Sequence, residues 1–139
     1  MTQKEITYTL SATSSSSEEG RITARDNTFV FGATGSSDLP SPVELLMGAF
    51  AACCLKNVER FSSFMKFSYA HAEIAVTAIR QDQPPMLHTL KFDLVVCSDD
   101  AKINTDLLLR NLQKFGTIYN TLNAVCAIEG KIHVRPAIG

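Results

Sequence analysis

The chain has 139 residues, 45% of them hydrophobic and 19% charged, with a formal net charge of -1. This length predicts one domain spanning 1–139 around a single core, and the near-neutral balance leaves no basic excess to suggest nucleic acid or a membrane surface as partner. The longest apolar run, Leu45 to Leu55, is far shorter than the roughly 20 residues that cross a bilayer, and no basic-then-apolar leader opens the chain, so the expected location is cytoplasmic.

In chain order, Ile6 to Leu10 (ITYTL) alternates and predicts a strand. The serine-rich stretch that follows to Gly20 reads as turn, and Arg21 to Gly32 reads as two strands about a turn at Asp26-Asn27. A β-meander is therefore expected in the N-terminal third. The segment ATGSSDLPSP is loop-forming, and it ends in a helix start with Ser41 as N-cap, Pro42 at N1 and Glu44 at N3 of a capping box. From there a helix should run to about Lys66, about 37 Å at the α-helical rise. Its apolar first half is expected to be buried on every side, and Val58, Phe61, Phe64 and Met65 mark an amphipathic second half.

Two further alternating runs, Tyr69 to Gln81 and Leu87 to Ser98, predict a hairpin, with two prolines in DQPPM making the connection wider than a two-residue turn. Cys97 should cap the second strand. A second helix follows, with Asp99 and Asp100 as N-cap candidates, Ile103, Leu107, Leu108, Leu112 and Phe115 near helical spacing, and Gly116 at its end. TIYNTLNAV predicts a short third helix capped by Thr117, and CAIEGKIHVRP a closing strand. The expected class is α+β in the order βββ-α-ββ-α-α-β, a long central helix with a β-sheet on it.

Four cysteines (Cys53, Cys54, Cys97, Cys126) show no C-x-x-C spacing, and His71, His88 and His133 lie far from them, so no metal site is expected. A cysteine inside an apolar helix has two readings, an inert small hydrophobe or a nucleophile, because burial disfavours the thiolate that does the chemistry. Cys54 points about 100° away from Cys53 round the helix, and core packing is the expected role for it.

The stretch SPVELLMGAFAACCL resembles the helix signature of the OsmC/Ohr family, in which a P-x-E-L-L start leads to an Ala-Cys; Pro42, Glu44, Leu45, Leu46, Ala51, Ala52 and Cys53 carry the match. The likeness extends over nearly the whole element order. It implies an intertwined homodimer with sites at the subunit interface and thiol-dependent reduction of organic hydroperoxides, without a cofactor. In such peroxidases a first cysteine, here Cys53, attacks the peroxide and a second traps the sulfenic acid as a disulfide. The second cysteine opens a Cys-Pro motif in the family, and Gly116-Thr117 stands in its place. The chain is thus expected to be a divergent member working with one cysteine and an external thiol.

The resemblance also nominates a glutamate at the helix start and an arginine from the N-terminal strands. Counting back from Cys53 puts the glutamate at Val43, with Glu44 one residue on, about 100° further round. Glu44 is therefore a catalytic candidate that the capping box also explains. For the arginine, Arg25 ranks ahead of Arg21. Phe50 is expected as an apolar wall of the site, and Tyr119 either covers the pocket or fills the space left by the changed loop. Three functions stay open: a one-cysteine peroxidase, a binding protein for a small thiol or apolar metabolite, and a purely structural role.

Overall fold

The structure, a computed structural model, describes residues 3–16 and 18–137. Their order is β1(Ser11–Ser14), β2(Gly20–Ala24), β3(Asn27–Phe31), α1(Pro42–Met65), β4(His71–Asp82), β5(Pro85–Cys97), α2(Thr105–Phe115), α3(Thr117–Asn123) and β6(Ala127–Arg135). This is the α+β order expected. The chain divides between Leu46 and Met47, inside α1, into two compact units.

In the first unit β1, β2 and β3 form an antiparallel sheet in that order. The β2–β3 turn falls at Arg25 and Asp26, one residue before the expected Asp26-Asn27, with φ of 49° and 64°. A two-residue hairpin loop of this hand requires positive φ at both positions, and the Asn27 side chain donates to the Arg25 carbonyl at 2.9 Å. The strand expected at Ile6–Leu10 lies instead at Ser11–Ser14, in the stretch read as turn, because pairing with Gly20–Thr23 sets the register rather than side-chain hydrophobicity. Ile6, Tyr8 and Leu10 are exposed outside any strand.

The start of α1 is the expected capping box. Ser41 N–H donates to Glu44 Oε1 at 3.0 Å, and Glu44 N–H to Ser41 Oγ at 3.2 Å. At the other end, Lys66 takes a left-handed φ of 57°, its N–H bonds to the Ser63 carbonyl, and the Phe67 N–H returns to Ser62. That is the pair of bonds by which helices close on a reversed residue. Phe67 then turns into the core, which explains why the helix stops at Met65.

In the second unit β4 pairs antiparallel with β5, and β5 parallel with β6. A parallel pair needs a crossover, supplied by α2 and α3. Alternation points Ile74 and Val76 of β4, Leu90, Phe92, Leu94 and Val96 of β5 and Ile128 and Ile132 of β6 to one core, where Phe50, Cys54, Val58 and Phe61 of α1 meet Leu108, Leu112, Tyr119 and Leu122.

Several local expectations are corrected. The first half of α1 is not buried on every side: Val43, Leu46, Gly48, Ala49 and Ala52 are exposed. The β4–β5 connection is a tight turn of Gln83 and Pro84, with Asp82 opposite Pro85; a proline is tolerated as the first residue of a strand. The N-cap of α2 is Asn104, whose side chain accepts from Leu107 N–H at 3.0 Å. Asp99 and Asp100 serve other backbone donors: Asp99 accepts from Ala137, and Asp100 from Ser68 and Lys102. Gly116, not Thr117, is the N-cap of α3, and no side chain caps it.

Candidate functional site

The site is built around Cys53, in the middle of α1, on the second unit. Cys53 is half-buried, whereas Cys54, one position round the helix, is in the core. Burial, with the Cys53 charge as a smaller contribution, pushes the Cys54 thiol from 9.0 up to about 12, so it stays protonated at neutral pH. All four cysteines are free thiols. Cys126 is buried and its Sγ donates to the Leu87 carbonyl at 3.4 Å.

Gly116 faces the Cys53 sulfur. A Cβ built on Gly116 would stand 3.4 Å from Cys53 Sγ, 3.0 Å from Tyr119 Cβ and 2.8 Å from the Leu112 carbonyl oxygen. Its φ of -75° is open to any residue, so space rather than backbone conformation calls for glycine here. The residue closes α2, donating its N–H to Leu112 O at 3.0 Å, and opens α3, accepting from Asn120 N–H at 2.8 Å. The position that the resemblance gives to the second cysteine therefore lies against the first, and carries no side chain.

The other nominated residues fall as follows. Phe50 is 0% exposed and packs at a tilt against Phe92 at 5.7 Å and Tyr119 at 5.5 Å between ring centroids, a place inside the core. Tyr119 is 3% exposed, fills the space next to Gly116, and has its phenol raised by burial, against which a hydrogen bond with Gln113 acts. Glu44 is held below the usual carboxylate range by hydrogen bonds from Ser41, the backbone one first, so its Oε1 is engaged at the helix start. Arg25 sits at the tip of the β2–β3 hairpin, and Arg21 pairs with Glu19 at 3.4 Å. Glu44, Arg25 and Arg21 belong to the first unit. Among the described residues no helix is long and apolar enough to cross a membrane.

One residue at the site was missed in the sequence. Asn57, 8% exposed, donates from Nδ2 to the Cys53 carbonyl at 2.8 Å, and the same nitrogen lies 3.7 Å from Cys53 Sγ. The signal was there: an amide four residues after a cysteine, in the middle of an apolar helix, stands one turn along on the same face.

A family model described as OsmC-like protein matches residues 35–130. Among solved structures, the OsmC like protein from Mycoplasma pneumoniae superposes with a TM-score of 0.84 at 15% identity, covering 95% of this chain and 99% of that one. An organic hydroperoxide resistance protein OsmC from Legionella pneumophila matches with a TM-score of 0.66 at 15% identity over 94% and 99% of the two chains. The organic hydroperoxide resistance protein OhrB of Bacillus subtilis gives 0.66 at 14% identity over 90% and 98%. At these identities the likeness is one of fold. No curated protein matches the chain in sequence.

Proposed function

The chain belongs to the OsmC-like protein family, and we propose that it is a thiol-dependent peroxidase that reduces organic hydroperoxides with Cys53 alone. The observation that carries this reading is a half-buried Cys53 whose sulfur faces the bare Cα of Gly116. A nucleophilic thiol needs partial access, and a fully buried one such as Cys54 is inert.

The Cys53 thiolate attacks the distal oxygen of the hydroperoxide. The O–O bond breaks, the alkoxide leaves and takes a proton to become the alcohol, and Cys53 becomes a sulfenic acid. An external thiol then attacks that sulfur, releasing water and forming a mixed disulfide. A second thiol returns Cys53 to its reduced form and leaves as the oxidised disulfide. This order follows from Gly116 standing where a resolving cysteine would be. The arginine of the reading is Arg25, with Arg21 as the alternative; replacing each in turn by glutamine identifies it by slower oxidation. Glu44 is assigned to the helix start.

The working form is a homodimer in a reducing, cytoplasmic setting. One feature supports it: the first half of α1 exposes apolar residues, Val43 and Leu46 among them. Stopped-flow oxidation by cumene hydroperoxide tests the reading. Native protein should react faster than free cysteine and Cys53→Ser should not react; a rate equal to that of free cysteine would remove the peroxidase. A second reading, a binding protein for a small thiol metabolite, is favoured by the absent side chain at Gly116. It predicts a stoichiometric adduct in native mass spectrometry without peroxide turnover.

A further inference from the structure

Among the described residues, Asn57 and Ser98 are the polar side chains buried in the core. Ser98 is accounted for by the turn it ties, donating to the Ser68 carbonyl and accepting from Asp100 N–H. Asn57 is different. It sits between Cys54, Val58 and Phe61 on the buried side of α1, where an apolar residue of the same size would pack without the desolvation cost of an amide.

The direction of that amide is settled by chemistry. The group 2.8 Å from the Cys53 carbonyl oxygen has to be the NH2, since a carbonyl can only accept. The nitrogen has two hydrogens, and the carbonyl uses one. Cys53 Sγ, 3.7 Å away, is the acceptor for the other, a normal separation for an atom as large as sulfur.

We propose that Asn57 is a positioning residue for Cys53, its side-chain amide donating to the sulfur and fixing the thiolate beside Gly116. A hydrogen bond to an ionised acceptor is about twice as strong as one to a neutral acceptor, so the donor favours the thiolate over the thiol. The anchor at the Cys53 carbonyl keeps the amide in place through the reaction. Among the described residues, Cys54 on the same helix and Tyr119 of α3, beside Gly116, are titratable groups next to the site. Both are shifted upward, so neither changes charge near neutral pH. The inference rests on Cys53 being the reactive thiol, and its test uses an electrophile that is not a peroxide.

Asn57→Leu and Asn57→Asp are alkylated with monobromobimane over a pH series, with Cys53 labelling read by peptide mass. Loss of one hydrogen bond to a charged group predicts labelling about tenfold slower at neutral pH in Asn57→Leu. It also predicts a rate–pH curve displaced to the alkaline side, and further displacement in Asn57→Asp, where a carboxylate replaces the donor. A role confined to the Cys53 carbonyl would lower the melting temperature and leave the curve unmoved; folded variants whose curves superpose on the native one overturn the proposal. Should either variant fail to fold, the native protein decides. The Asn57 side-chain NH2 resonances are expected to follow Cys53 ionisation and to lose that response in Cys53→Ser, and resonances indifferent to pH would refute the contact. Slow hydroperoxide oxidation with a displaced alkylation curve would remove the peroxidase and leave this inference standing.

Discussion

Two adjacent cysteines of α1 are separated by their surroundings rather than their spacing. Cys54 is packed in the core and its thiol is pushed up to about 12 from 9.0. A group whose folded value lies above its unfolded one contributes stability that is fully present below about pH 9 and is lost as pH rises toward 12. The native protein should therefore lose stability through that window by urea titration, and Cys54→Ala should flatten the alkaline part of the curve; parallel curves would contradict this. Gly116 is the second residue-scale prediction. Its missing Cβ would press on the Leu112 carbonyl at 2.8 Å, so Gly116→Ala should cost about 1–3 kcal/mol in chemical denaturation and slow Cys53 labelling. At this scale the packing of Cys54 in the core was legible from the sequence, since adjacent helical residues point about 100° apart. Asn57 was not, because its meaning lies in a hydrogen bond across one helical turn that composition does not display. Nor was the burial of Phe50, whose neighbours Phe92 and Tyr119 come from distant segments.

Helix α1 shows how far local signals reach. Ser41, Pro42 and Glu44 were readable as a start because capping is a contact among residues three apart, and the two bonds of Ser41 and Glu44 bear it out. Ser41→Ala should lower stability by about 1 kcal/mol, while Glu44→Gln, which keeps an acceptor at N3, should leave hydroperoxide reduction within about twofold, short of the 10²–10⁴-fold scale typical of a lost acid or base. A larger drop would return Glu44 to the chemistry. The elements that were misplaced depended on distant partners. Ser11–Ser14 became β1 because Gly20–Thr23 pairs with it. Asn104 took the N-cap of α2 while Asp100 was engaged by Ser68, 32 positions away in sequence.

At the level of the whole molecule, the order βββ-α-ββ-α-α-β was legible because hydrophobic period and turn residues mark each element. The exposure of apolar residues in the first half of α1 was not, since an all-apolar helix segment reads the same whether its chain covers it or leaves it open. Exposed apolar residues in the first half of α1 lead us to predict a homodimer. Light scattering after size exclusion should give twice the 15.2 kDa chain mass, and Ala52→Glu should shift it toward the monomer. The central claim, that Cys53 reduces hydroperoxides without a second thiol of its own chain, is tested most directly by intact-mass titration with cumene hydroperoxide. The account predicts the gain of one oxygen atom at Cys53, stoichiometric with peroxide and reversed by added thiol. No mass change at Cys53, or an internal disulfide formed in its place, would contradict it.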